Sequence, residues 1–342
     1  MPEVFGRPSS ELRDYVGTLG QVVRVDSFVE QEGASRGARM LRLVNGGGLE
    51  IEVHPDRALD LGRVTVDGIP VSWMSSTGIT APWFSEPEGT GWLRTFGGGL
   101  LATCGLDTFG PPSEDAGVTF GMHGRVGAIP ATVTRAEATS DEVVVEGTVR
   151  QTAVFGENLL LHRRISSAVG SDTITVQDVV TNDGVEDAPH MIVYHANLGW
   201  PLLDEAAVLD IPSTAVHPRD AAAEGGIDNW RVFDTPTAGF QEQVYRHDFP
   251  AHSDVLVRLA NDAIGVELGV AFSSAELPHL YQWKMTNQRH YALGIEPTNS
   301  PNIFGRRAAR DAGELPFLAP GQSARYRLDF RLRRTGVAAS SR

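Results

Sequence analysis

The chain has 342 residues, of which 41% are hydrophobic and 21% charged, and a formal net charge of −14. These proportions fit a soluble globular protein with a sizeable core. The acidity disfavours nucleic-acid backbones and anionic membranes as partners, but not an uncharged small molecule. One cysteine excludes an intrachain disulfide and a cysteine-based metal cluster. The amino-terminal stretch has early acidic residues and no apolar core, so no signal peptide is expected. No run approaches the ~18 apolar residues of a membrane span. A soluble, cytoplasmic protein is expected, with its oligomeric state left open.

Glycine (37) and proline (20) are scattered along the chain. Short β-branched runs lie between them, the pattern of an all-β protein. Residues 9–16 read as a short helix capped by Ser9 or Ser10. Strands are predicted over 21–28, 38–44, 49–53, 58–66 and 70–73, with a hairpin turn at Asp67-Gly68. Residues 74–117 are rich in Gly and Pro and carry Trp83 and Trp92. A long stretch poor in regular structure inside a compact domain is usually functional. Strands resume over 131–136, 142–150, 158–166, 173–181 and 190–198. Residues 204–241 are rich in loops. Further strands are predicted over 242–248, 255–260, 264–272, 279–285, 291–295 and 324–332. The tail from Thr335 is expected to fray. No repeat or linker divides the chain, so a single large antiparallel β-sandwich with its core at about 21–332 is expected.

The polar groups that stand out are few. Glu296 ends the apolar run Tyr291–Ile295, and Pro297 is expected to stop that strand. A carboxylate there is paired, near solvent in a cleft, or shifted in pKa, because a lone buried charge is costly; the plainer reading is a solvated edge charge. Lys284 is the only lysine in the chain, either the one readily titratable amine or a survivor of Arg-biased usage. His195, in Tyr194-His-Ala-Asn-Leu-Gly-Trp-Pro201, is placed at a strand's mouth. There it suits proton transfer near neutrality or simply bonds a loop carbonyl. His123 lies in Phe120-Gly-Met-His-Gly-Arg125, after the glycines of 97–99. Those glycines allow close backbone approach but form no phosphate loop. Arg57 could bond a sugar hydroxyl or form a surface ion pair. Alternation puts Glu242, Val244 and Arg246 on one strand face and Gln243, Tyr245 and His247 on the other. The polar members could equally be solvated. Cys104, apolar-flanked, reads as an inert thiol. No metal motif is present.

The order of these motifs resembles the aldose 1-epimerase, or galactose mutarotase-like, superfamily, and most closely its DUF4432 branch. The motifs are a Gly-rich stretch ending in Cys104, His123-Gly124-Arg125, His195-Ala-Asn-Leu-Gly199, and Gly294-Ile-Glu-Pro297. The resemblance runs from about Gln21 to Leu332. It implies a large antiparallel β-sandwich and interconversion of sugar anomers. It makes Glu296 the base and protonated His195 the acid, with His123 facing the sugar and Glu242 holding its hydroxyls. In the sugar-phosphate members an Arg occupies the position of Gly97, so a non-phosphorylated sugar is expected here. Arg57, Lys284 and His247 are further candidates to hold hydroxyls, and Trp200 or Trp283 to offer an apolar face. Glu242 or Asp248 would keep His195 charged. Such a reaction needs no metal or organic cofactor. Two other readings stay open: a non-catalytic sugar-binding protein on the same fold, and a Lys284 Schiff base with an open-chain or keto sugar.

Overall fold

The computed structural model describes residues 3–335. The tail predicted to fray, beyond Thr335, lies outside the described residues.

Two large antiparallel sheets face one another. The larger has eleven strands. From one edge its order is Ala215–Pro218, Gln243–Asp248, His279–Asn287, His290–Thr298, Val193–Gly199, Leu101–Cys104, Asp60–Val66, Leu49–His54, Arg39–Val44 and Arg24–Val29, with Ile69–Pro70 paired beside Asp60–Val66. The smaller has eight strands, from Thr132–Ala138 at one edge to Val208–Asp210 at the other. Alternation along each strand divides the side chains between two faces. Leu280, Leu293, Ile295, Tyr194, Ala196 and Leu198 join Leu161, Ile165, Val176 and Phe330 of the opposite sheet in the core. The intervening residues of the larger sheet therefore face outward, under the loops that cover it.

The predicted all-β architecture is the one observed, with local differences, among them edge strands Val208–Asp210 and Ala215–Pro218 in the loop-rich 204–241 segment. Residues Ser9–Asp14 form a 3-10 helix preceded by Pro8, and no side chain caps it. Leu12 is its one buried apolar residue, too little to hold an amphipathic α-helix. Within the irregular 74–117 stretch, Leu101–Cys104 is a central strand between Val193–Gly199 and Asp60–Val66. Its short apolar run is hidden in sequence by the flanking glycines. Pro297 does not end its strand. It sits opposite Leu280, and pairing continues to Thr298.

The two sheets are joined through a buried polar node. Arg163, with no exposed side-chain surface, donates to both carboxylate oxygens of Asp178, at 2.9 and 2.6 Å. It also donates to Asp60 Oδ1 at 2.9 Å, Thr103 Oγ1 at 2.8 Å and the Ala58 carbonyl at 3.2 Å. The Tyr194 hydroxyl donates to Asp178 at 2.7 Å. Removing one member of a buried ion network leaves uncompensated charge, which costs about 3–5 kcal/mol. Arg163→Ala is expected to lower unfolding free energy by about that amount, read from urea denaturation. A loss within ~0.5 kcal/mol, the range of ordinary surface substitutions, would contradict this.

Candidate active site

Val193 pairs with Thr298 and Ala196 with Ile295 across adjacent antiparallel strands. That register sets His195 directly opposite Glu296, both on the outward face. His195 Nε2 and Glu296 Oε1 lie 3.2 Å apart. His195 is thus in mid-strand, not at a strand's mouth. It stays reachable because the outer face of the sheet forms the floor of a cavity of about 560 Å³. That volume is within the usual range for small-molecule sites. Both groups are otherwise enclosed, at 5% and 3% exposure.

The walls come from the glycine- and proline-rich segments. Trp92 and Phe96 stack with ring centroids 4.1 Å apart. His195 lies 5.3 Å from Phe96 and 5.6 Å from Trp283, both edge-on. Trp73, Met122, Met285 and Ile303 add to the apolar lining. Gly294, two residues before Glu296 in the same strand and opposite Asn197, leaves room for the pair. A Cβ there would lie 2.5 Å from Glu296 Oε1 and 2.9 Å from Trp283 Cβ.

Burial sets the protonation of the pair. Desolvation disfavours charge on each group. It lifts Glu296 to about 8, helped by the Glu242 carboxylate and opposed by Arg219. It lowers His195 to about 4, against the opposing influence of Asn197 and Glu242. Near neutrality both shifts favour a carboxylic acid beside a neutral imidazole over a carboxylate beside an imidazolium. Both descriptions hold one proton between the two groups.

Of the other sequence candidates, His123, Glu242 and Trp283 line this cavity. His123 is held in the left-handed region, φ 60°, which histidine tolerates better than most residues. Its ring is 4.4 Å from Trp92 and 6.1 Å from His195. Burial and the neighbouring His195 lower it to about 3. Glu242 accepts from Arg219 Nη2 at 2.9 Å and from Trp283 Nε1 at 3.0 Å. As alternation predicts, Val244 shares its face and lines the cavity too.

The remaining candidates lie elsewhere. Lys284 alternates with Trp283 and so faces away from the cavity. Its Nζ donates to the Asn229 carbonyl at 3.0 Å and lies 5.8 Å from the Phe233 ring centroid. The Schiff-base reading loses its geometry. His247 faces the same way as Lys284, bonded to Ser213 Oγ at 3.2 Å and Gln282 Oε1 at 3.1 Å. Arg57 donates to the Thr95 carbonyl at 3.1 Å and lines a separate, smaller cavity. Trp92 and Phe96 line both cavities and stand between them. Asp248 is bonded to His217 at 2.7 Å and does not line the cavity. Trp200, 72% exposed, also lies outside it. Cys104 is buried, and burial pushes its thiol up. Among the described residues no group of three or more His, Cys, Asp or Glu side chains is arranged to hold a metal ion.

Sequence reasoning missed Arg219 and Phe96. Arg219 lies in the loop-rich 204–241 segment, where no periodicity assigns a face; its neighbour Asp220, a helix-capping type, is the only local signal. Phe96 directly precedes the Gly97–Gly99 run, which was the available pointer.

Comparison with solved structures places this architecture among galactose mutarotase-like folds. A candidate aldose 1-epimerase from Klebsiella pneumoniae is 26% identical, with a TM-score of 0.86 over 96% of this chain and 87% of that one. A galactose mutarotase-like protein from Clostridium acetobutylicum is 13% identical, with a TM-score of 0.66 over 92% and 99% of the two chains. Galactose 1-epimerase from Lactobacillus acidophilus is 14% identical, with a TM-score of 0.61 over 91% and 99%. The last two show the fold alone. Among curated proteins no sequence match was found. The chain belongs to the DUF4432 family, a domain of unknown function, whose model matches residues 35–332.

Glu242→Gln would remove a negative charge near Glu296 and leave Arg219 with Asp220 as its one remaining carboxylate partner. Both changes favour ionised Glu296. Its carboxyl ¹³C titration is expected to move below the parent midpoint of about 8. An unchanged or higher midpoint would contradict the assigned electrostatics.

Proposed function

We propose that the protein is a mutarotase acting on a free, non-phosphorylated sugar, with His195 and Glu296 as its acid–base pair. The observation that carries this reading is their 3.2 Å approach on the floor of an aromatic cavity. Aromatic rings suit the apolar C–H face of a pyranose. Glu242, Arg219 and His123, which line the same cavity, would hold hydroxyls.

Ring opening removes a proton from the anomeric hydroxyl and delivers one to the ring oxygen, as C1=O forms and the C1–O bond to the ring breaks. From the resting state, neutral His195 takes the first proton and the Glu296 carboxyl gives the second. After transfer within the pair, carboxylate Glu296 takes it and imidazolium His195 gives it, as the family resemblance implies. The two routes use the same total of one proton and are kinetically equivalent in pH. Rotation about C1–C2 presents the other carbonyl face, and reclosure reverses both transfers. Each positioned transfer is worth about 10²–10⁴ in rate.

Glu296→Gln is expected to lower catalysed anomer exchange by at least about 10²-fold, measured by NMR exchange spectroscopy, while sugar binding persists. Full exchange activity in that variant would end the proposal. For the parent protein, kcat/KM should form a plateau between about 4 and about 8. Below it both groups are protonated and no base remains. Above it neither is protonated and no acid remains. A rate still rising above pH 8 would contradict the one-proton pair.

A further inference from the structure

We infer that Asn197 is a positioning residue that holds His195 in the tautomer with hydrogen on Nδ1, leaving Nε2 bare toward Glu296. The inference deepens the acid–base reading and rests on it for its catalytic consequence.

Asn197 is two residues beyond His195 in the same strand, so both side chains lie on the outward face. It is fully buried. Its amide nitrogen spends both hydrogens, one on the Gly99 carbonyl at 3.0 Å and one on the His195 carbonyl at 2.9 Å. Those two acceptors fix the amide orientation, because a flipped amide would set Oδ1 against two carbonyl oxygens. Oδ1 is thereby left as an acceptor, and it has no partner. His195 Nδ1 is likewise buried without a partner. Two complementary unsatisfied atoms on neighbouring buried side chains carry a cost that their meeting removes. The influence of Asn197 on His195 has the sign of an acceptor facing an imidazole N–H, since it favours the protonated ring.

A neutral imidazole carries one hydrogen. If Asn197 holds it on Nδ1, the lone pair sits on Nε2, the nitrogen 3.2 Å from Glu296 Oε1. Nε2 can then accept the carboxyl proton or the anomeric hydroxyl proton without a prior tautomeric exchange. With hydrogen on Nε2, no lone pair would face the site, and the ring could accept a proton there only after tautomeric exchange.

The test is ¹⁵N NMR of the His195 ring in the sugar-free protein. Three forms are compared near pH 6.5: parent, Asn197→Leu and Asn197→Asp. The parent should show a pyrrole-type Nδ1 and a pyridine-type Nε2. Asn197→Leu, which removes acceptor and donors alike, should shift population toward the Nε2–H tautomer. Its kcat for anomer exchange should fall about 10- to 100-fold, less than for full loss of a proton-transfer group, with KM within about twofold. Asn197→Asp keeps the acceptor and loses the two donor bonds, so it should retain the Nδ1–H signature. A parent protein with Nε2–H, or an unchanged tautomer in Asn197→Leu, would overturn the inference. Equal tautomer changes in both variants would assign Asn197 a structural role through its donor bonds, and would overturn it too. Tautomer shifts as expected with no anomer exchange in the parent would leave the positioning role intact and remove the mutarotase reading alone.

Discussion

The pairing register of Val193–Gly199 against His290–Thr298 is the constraint on which the site depends. It places an imidazole opposite a carboxylate on one face while Tyr194, Ala196, Leu293 and Ile295 fill the core on the other. Side chains alternate with a period of two, so a slip by one residue would exchange the two sets. It would bury His195 and Glu296 between the sheets and expel the apolar residues. The hydrophobic core therefore fixes the register, and the register brings together two groups from distant parts of the chain. Gly294 is part of the same arrangement. Its missing Cβ is the space that the Glu296 carboxyl and the base of Trp283 occupy.

Two polar networks serve opposite ends. The Arg163 node lies between the sheets, where every charge has a partner, and it fixes Asp60, Thr103 and Asp178 on three strands. Thr103 belongs to Leu101–Cys104, the strand that pairs directly with the one bearing His195. In the cavity the balance differs. His195 and Glu296 have no ionic compensation of their own, so burial drives both toward neutrality. Charge is kept instead by Arg219 and Glu242, whose side chains are 23% and 45% exposed and so remain solvated. A dry neutral pair beside a solvated ion pair can move a proton without first stripping water from an ion.

Much of this was legible in the sequence. The strand runs appear as alternating or apolar stretches bounded by Gly and Pro. Motif order points to His195, His123 and Glu296, the family resemblance adds Glu242, and all four line the cavity. What failed were inferences about direction. Lys284 drew attention as the sole lysine, but rarity says nothing about which face a residue occupies; its parity with Leu280 turns it away from the site. His247 fails for the same reason, on the face opposite Glu242. Arg57 lies in a turn whose backbone leaves the strand alternation, with Ala58 and Leu59 both at positive φ. No period could aim its side chain. Burial works against the expected imidazolium, and that burial comes from Trp92, Phe96 and Trp283, contributed by separate segments no local pattern connects. Asn197 could have been noticed from its spacing to His195, but its unsatisfied oxygen becomes visible only in three dimensions.

The central claim is that His195 and Glu296 hold one proton between them on the cavity floor. Neutron diffraction of deuterated crystals near pH 6.5 tests it most directly. The account predicts a single deuteron between Glu296 Oε1 and His195 Nε2. Deuterons on both atoms, on neither, or two side chains turned away from each other would contradict it.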